Sequence, residues 1–317
     1  MYLSLIIPFY NEEKNLPLLA EKLGQFLASF NRPAEVIFID DGSTDNGFEV
    51  LKNLAAGKKN WRIIRFRKNF GQTAAWAAGL DYADGEVIIF LDSDLENDPA
   101  DIPLLLAKID EGYDLVSGWR KNRWQGQFFS RRLTSELANW LIAKISGVKI
   151  HDFGCSLKAY RREIIKEVRL YGEMHRFIAV LASWRGAKIA EVAVEFKPRR
   201  FGSSKYGLER ILKVVLDLVI IKFLSGYSTK PIYFFGKVGF ISIIFSFLTF
   251  LFSIYYKFWG GKSFIATPLP ILTAIFFIVG ILLVLIGLLA EMLMRLYHES
   301  SGQKIYIIKD KVNFNSD

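Results

Sequence analysis

Residues 86–99 read EVIIFLDSDLENDP. The run from Val87 to Leu91 is apolar and rich in β-branched residues. It starts after Gly85 and stops at a carboxylate, the pattern of a short buried strand. Asp92, Asp94, Glu96 and Asp98 then follow at every second position. Carboxylates this dense at the end of a buried strand are costly unless something positive meets them. The stretch can be a solvated acidic turn, a calcium loop, or a site that holds a metal on a phosphorylated substrate. A calcium loop of the EF-hand type needs glycine at its sixth position and a later bidentate Glu between two helices, and this stretch follows a strand. On an extended segment, Asp92 and Asp94 are expected on one side, with Leu91 and Ser93 facing the other way.

Outward from this strand the chain alternates strand and helix patterns. Residues 3–8, 35–40, 61–66, 86–92 and 114–118 read as strands. Residues 12–30, 45–56, 72–83 and 99–111 read as helices, with Asn11 as the cap of the first and Asp98, ahead of Pro99, as the cap of the last. This order predicts an α/β domain with a mostly parallel sheet, whose ligands bind beyond the carboxyl ends of the strands. That rule gathers Pro8-Phe9-Tyr10-Asn11-Glu12, Asp40-Asp41-Gly42-Ser43, Arg67-Lys68-Asn69-Phe70-Gly71 and the Asp92/Asp94 pair at one rim. Each is an ordinary turn or cap by itself; together they predict a site.

The remainder is different in character. Residues 238–256 and 269–290 carry no charge, and each is long enough for a hydrocarbon core of roughly 30 Å, which takes ~20 helical residues. With the short connector between them they predict a hairpin of two transmembrane helices within 232–296. Lys213, Lys222, Lys230 and Lys237 precede the first span, and Arg295, Lys304, Lys309 and Lys311 follow the second. The connector has only Lys257 and Lys262, so both termini are expected in the cytoplasm. Tyr233, Tyr255, Tyr256, Trp259 and Tyr297 stand where interfacial aromatics belong. Leu208, Ile211, Leu212, Val215, Leu218, Val219 and Leu224 recur at helical spacing, interrupted by Lys213, Asp217 and Lys222. That fits either an amphipathic juxtamembrane helix over 208–231 or an ordinary docking helix. Residues 297–317 are expected as a cytoplasmic tail. Gly280 and Gly287 permit helix packing and a homo-oligomer.

Composition agrees. The 317 residues are 51% hydrophobic with a formal net charge of +9; the pI is about 9.4 and the mean hydropathy +0.23. A basic balance suits nucleic acid, anionic lipid or a phosphorylated substrate, and no nucleic-acid motif accompanies the charge, so no nucleic acid is expected. The single Cys155 excludes an intrachain disulfide and a CxxC metal cage. Met1 runs directly into the first strand pattern with no basic leader, so no signal peptide is expected.

IIPFYNEEKNL, VIFIDDGSTD, FLDSDLENDP and FGSSKYG, in that order and followed by two spans, resemble glycosyltransferase family 2 over residues 3 to about 210. Within it they resemble the polyprenyl-phosphate hexose synthases, relatives of dolichyl-phosphate mannose synthase, in their two-span bacterial form. The resemblance implies a GT-A (Rossmann-like) domain over 1–207, a UDP- or GDP-sugar donor, Mg²⁺ or Mn²⁺, and an undecaprenyl or dolichyl phosphate acceptor at the inner membrane. It implies a product that serves later glycan or lipopolysaccharide modification. It assigns Pro8, Tyr10, Asn11, Glu12, Asp40 and Asp41 to the nucleoside pocket. Asp92, Asp94 and Glu96 match a DxDxQ metal motif, with Glu96 where Gln is usual; Asp94 and Asp152 become the catalytic candidates. RRLTS (131–135) and RRFGSSKYG (199–207) bring Arg131, Arg132, Arg199, Gly202, Ser204 and Lys205 to phosphates, and Arg120, after the fifth strand, can join them. A lipid monophosphate has a second pKa near ~6 and needs little help to attack, so Asp152 is a base or a positioning group, and one displacement inverts the anomeric centre. A processive polysaccharide synthase would need a QxxRW segment, absent here, and more spans. An inactive scaffold would keep its role in an Asp92→Ala variant.

Overall fold

The computed structural model describes residues 1–123, 146–166, 177–198, 231–300 and 305–314, with 135, 136, 139, 140, 142–144 and 168 besides. The chain divides into two units, Met1–Val215 with Lys304–Asp317, and Leu216–Gln303. The amphipathic stretch expected over 208–224 lies outside the described residues.

In the first unit the uncharged run LSLIIPF forms β1 (Leu3–Phe9), buried along its whole length. It lies between β2 (Ala34–Asp40) and β4 (Val87–Phe90), parallel to both. β3 (Trp61–Phe66) extends the parallel set beyond β2. Helices α1 (Leu16–Ser29), α2 (Gly47–Leu54), α3 (Gln72–Tyr82) and α4 (Ile102–Asp110) connect and cover these strands. The apolar side chains on both faces of these strands need cover, which helical crossovers supply. α1 buries Leu16, Leu19 and Leu23, and Trp76 of α3 stacks on Phe90 at 4.2 Å. β5 (Leu115–Trp119), β6 (Lys158–Arg161), the short α5 (Arg162–Lys166) and α6 (Ile178–Ser183), and β7 (Ile189–Ala193) follow. β6 runs antiparallel between β4 and β5, and β7 runs parallel to β5.

The last element departs from expectation. Ile308–Val312 forms β8, antiparallel to β3, within the segment expected as a tail. The eight-stranded order is β7-β5-β6-β4-β1-β2-β3-β8. Register places Phe9 beside Asp40 and Ile6 beside Phe90, so the carboxyl ends of β1, β2 and β4 open at one rim.

Helix α1 starts at Leu16, not behind Asn11, whose φ of 57° is left-handed. The Asn11 side chain turns to the neighbouring loop, where its Oδ1 accepts from the amide of Thr44 at 2.8 Å. The expected cap at Asp98 is present: its Oδ1 accepts from Ala100 N at 3.2 Å, opening a 3₁₀ turn, Pro99–Asp101, before α4.

In the second unit, α7 (Pro231–Phe258) and α8 (Leu269–Ser300) pack as a hairpin. The apolar spans Tyr233–Phe258, with Lys237 and Lys257 near its ends, and Leu269–Ala290, which carries no charge, have mean hydropathies of 2.2 and 3.1. Twenty-two helical residues rise about 33 Å, enough to cross a hydrocarbon core. Their contact face is small and polar, as packing between lipid-type helices requires. A Cβ added at Gly239 would lie 2.7 Å from Gly280 O. Ser242 and Ser246 donate to the carbonyls of Phe276 and Thr273 at 2.8 Å each. Large apolar side chains such as Phe247, Phe252, Ile271 and Leu289 face outward.

Candidate active site

The rim of β1, β2 and β4 encloses a cleft of about 280 Å³, lined by Pro8, Tyr10, Glu12, Asp41, Asn69 and Gln72 with Asp92 and Asp94. Asp92 leaves β4 two residues beyond its end. The segment after it is not extended: Leu95 has φ 62°, and Asp94 Oδ1 accepts from Glu96 N at 3.0 Å, closing a turn. Asp92, Ser93 and Asp94 all line the cleft, so the alternation expected of an extended segment, with Ser93 facing away, does not hold here. Gln72, the first residue of α3, donates its amide to Asp92 Oδ1 at 2.7 Å. Although Asp92 keeps some contact with the cleft, burial and then the Asp94 charge push its carboxyl up to about 7.

Two crowded carboxylates whose repulsion raises a pKa are a hard-oxygen donor set that a divalent cation relieves, so the pair fits Mg²⁺ or Mn²⁺. Among the described residues no three His, Cys, Asp or Glu side chains form a complete cage. Further ligands would come from a bound phosphorylated molecule.

Glu96 and Asp152 lie together on a different partner. Arg120 is buried; it donates from Nε and Nη2 to Asp152 at 2.8 and 3.1 Å and from Nη1 to Glu96 at 3.1 Å. The side-on fork is the strong geometry for a guanidinium and a carboxylate. Burial pushes the Asp152 carboxyl up, but Arg120, followed by Arg123 and Lys158, outweighs it and holds Asp152 below its ordinary range. A carboxylate held down in this way is a weak base, so the arrangement favours positioning. Arg120, expected at a phosphate, is instead the buried counter-ion of two carboxylates. With three of its five N–H groups committed, it has little to offer a phosphate.

The two acids ending β2 also separate. Asp40 is fully buried; it accepts from Ser43 N at 2.7 Å and pairs with Arg65 at 3.2 Å, away from the cleft. Arg65 is its register partner on β3. Asp41 lines the cleft, and its two oxygens accept from the amides of Phe70 and Gly71 at 2.7 and 3.0 Å. Burial raises both carboxyls against the pull of those donors. Gly42 is what lets the loops meet: its φ is 72°, and a Cβ there would lie 2.4 Å from the Lys68 carbonyl carbon. Gly42→Ala is expected to cost roughly 2–4 kcal/mol, from the left-handed backbone and the clash together. Urea unfolding that matches wild type would contradict this account.

Of the expected residues, Pro8, Tyr10, Glu12, Asp41, Asp92 and Asp94 share the cleft. Asn11 and Asp40 serve the loops behind it. Arg131, Arg132, Arg199, Ser204 and Lys205 lie outside the described residues. The last described residues before 199 are tied to the acidic turn: Lys197 N donates to Glu96 O at 3.0 Å, and its ammonium pairs with Asp98 at 3.0 Å. Lys22 pairs with the same carboxylate. Burial works against the Asp98 charge, but the two lysines prevail and lower it to about 2.

A larger cavity of about 790 Å³ opens beside Asp152, lined by residues that include Trp119, Arg123, Lys149 and His151. Sequence reading missed Gln72, His151 and Glu191. Glu191 of β7 accepts from the backbone amides of His151 and Asp152 at 2.8 and 3.1 Å, fixing the segment that carries Asp152.

Comparison with known proteins follows these lines. The model of "Glycosyl transferase family 2" matches residues 4–169. The chain is 39% identical over 311 residues to the dodecaprenyl-phosphate galacturonate synthase of Rhizobium johnstonii, spanning 97% of this chain and 92% of that one. It is 35% identical over 311 residues to the undecaprenyl-phosphate 4-deoxy-4-formamido-L-arabinose transferase of Proteus mirabilis, spanning 98% and 93%. Among solved structures, glucosyl-3-phosphoglycerate synthase from Mycobacterium tuberculosis, in complex with Mn²⁺, uridine diphosphate and glucosyl-3-phosphoglycerate, matches with a TM-score of 0.54. That match has 19% identity and covers 71% of this chain and 79% of the other, a likeness of fold.

Proposed function

The chain belongs to glycosyltransferase family 2, and from that premise we propose that it moves a sugar from a nucleotide-sugar to a polyprenyl phosphate at the cytoplasmic face of the inner membrane, inverting the anomeric centre. The observation that carries the proposal is the Asp92–Asp94 pair in a cleft walled by the ends of β1 and β2. The related galacturonate synthase and formamido-arabinose transferase, named for dodecaprenyl and undecaprenyl phosphate, support the acceptor class. The two apolar helices support a membrane site for it.

Asp92 and Asp94 would hold Mg²⁺ or Mn²⁺, which supplies charge neutralisation on the leaving diphosphate. Pro8, Tyr10, Glu12 and Asp41 would line the nucleoside, the last presented by its grip on the Phe70–Gly71 amides. The acceptor phosphate oxygen forms the new bond to the anomeric carbon as the bond to the nucleotide diphosphate breaks. Asp152, fixed by Arg120 and Glu191, orients that approach. We assign the catalytic domain to 1–207, the juxtamembrane region to 208–231 and the spans to 232–296, with both termini cytoplasmic and β8 joining the first of these. Arg131, Arg132, Arg199, Ser204 and Lys205 are assigned to the donor and acceptor phosphates by the family motif.

The test is a donor screen with full-length protein in detergent, undecaprenyl phosphate and Mg²⁺ or Mn²⁺, offering UDP-galacturonate, UDP-4-deoxy-4-formamido-L-arabinose, UDP-glucose and GDP-mannose. One donor is expected to yield an organic-extractable, lipid-linked sugar, and EDTA is expected to abolish the yield. If no donor in the panel gives lipid-linked product, the proposal fails.

A further inference from the structure

His151 is the exposed neighbour of Asp152 and lines the larger cavity with it. Its Nδ1 lies 2.6 Å from Glu191 Oε2, while the other Glu191 oxygen accepts from the His151 and Asp152 amides. The ring is further fixed by stacking on Trp119, with centroids 4.4 Å apart and planes 17° apart. Asn139 donates to the His151 carbonyl at 2.9 Å. A carboxylate only accepts, so Nδ1 carries the proton and Nε2 is left to the cavity, with no partner among the described residues. So fixed a ring is unusual for a side chain 68% exposed, since surface imidazoles otherwise keep their rotamer freedom.

The charged groups around it are Glu191 on β7, Lys121 and Arg123 after β5, Lys149, the Asp152–Arg120 pair, and Glu136, which lines the same cavity. Resting on the function proposed above, we propose that the His151–Glu191 pair binds the phosphate of the lipid acceptor through Nε2 and carries the single proton that the two groups share. Imidazole and phosphate monoester are both groups that gain or lose a proton in the near-neutral range, so one proton can sit on either side of the contact. Neutral imidazole with the phosphate monoanion, or imidazolium with the dianion, is one complex with one proton. In the second form the dianion is the nucleophile. Its oxygen gains the bond to the anomeric carbon, the diphosphate leaves with the electron pair of the broken bond, and the proton stays on Nε2. The product diester bears one negative charge beside the imidazolium.

The test uses full-length protein and farnesyl phosphate, titrated calorimetrically from pH 5 to 9 without donor, with inorganic phosphate as the headgroup-free arm. Wild type is expected to bind farnesyl phosphate most tightly in the near-neutral part of the range and to weaken on either side, where the pair holds two protons or none. His151→Gln is expected to weaken binding about tenfold near pH 6.5 and to flatten the alkaline fall. Glu191→Gln is expected to move that fall to lower pH, because imidazolium loses its counter-ion. The donor KM of His151→Gln, for the donor the screen selects, should stay at the wild-type value. Equal affinity and equal pH dependence in wild type and His151→Gln overturn the proposal while leaving the function standing. A raised donor KM with unchanged farnesyl phosphate binding overturns it equally. Inorganic phosphate bound as tightly as farnesyl phosphate would overturn the lipid headgroup as the ligand. No wild-type binding of farnesyl phosphate at any pH would overturn the acceptor class itself and this role with it.

Discussion

An Asp94→Asn variant is expected to turn over at least about a thousandfold more slowly than wild type while unfolding at the same temperature. The asparagine keeps Oδ1, so the acceptor of the Glu96 amide that closes the turn survives. What is lost is one of two charges in a cleft where burial already strains the other. Removing a group that stabilises developing charge in a water-poor site costs on the order of 10²–10³ in rate, and loss of a metal ligand adds to that. Glu96→Gln is the contrast. Its carboxylate is engaged by Arg120 across 3.1 Å, and an amide oxygen can still accept there. The metal concentration for half-maximal rate should change less than about threefold. Asp94→Asn within about tenfold of wild type, or a Glu96→Gln variant that needs far more metal, would remove the Asp92–Asp94 pair from the centre of the mechanism.

These two variants differ in a way the sequence alone does not show. The family motif gave Asp92, Asp94 and Glu96 one role as metal ligands, and the chain was expected to continue extended beyond the strand through the first two. The left-handed backbone at Leu95 ends that continuation and turns Glu96 toward Arg120. The central strands were legible because each carries a run of four or more apolar residues ended by a polar turn. That was enough to place Asp41 and Asp92 at one rim. Asp40 carried the same signal as Asp41, yet only the β2–β3 register shows that Arg65 occupies it. Gln72 and the His151–Glu191 pair left no local mark, since their partners are far away in the chain: 20 positions for Gln72 and Asp92, 40 for His151 and Glu191. β8 was missed for another reason. IKDKV sets three consecutive charged residues between Ile308 and Val312, after a long hydrophobic segment, and an edge strand this polar and this short looks like solvated tail.

A chain ending at Ser300 is therefore expected to lose far more than a tail. Without β8, the outer edge of β3 is unpaired, an open template for aggregation. Tyr306 no longer stacks on Phe66 at 5.2 Å or donates to Asp81 at 2.6 Å. Asn313 no longer closes the β3 entry, where its amide donates to Trp61 O at 2.7 Å. Burial of one aromatic ring and several hydrogen bonds amounts to roughly 5 kcal/mol, a large share of a domain's usual 5–15. The effect reaches the cleft, because the chain leaving β3 supplies the Phe70 and Gly71 amides that hold Asp41. The truncated protein should unfold at least about 10 °C lower, elute in part as aggregate, and show a raised donor KM. Tyr306→Phe separates the causes: the stack stays and the Asp81 bond goes, so about 1 kcal/mol is expected with donor KM unchanged. If the truncated chain kept both its melting temperature and its donor KM, β8 would be an ornament of the sheet, and the support of the cleft would have to lie in α3 and the Gly42 turn alone.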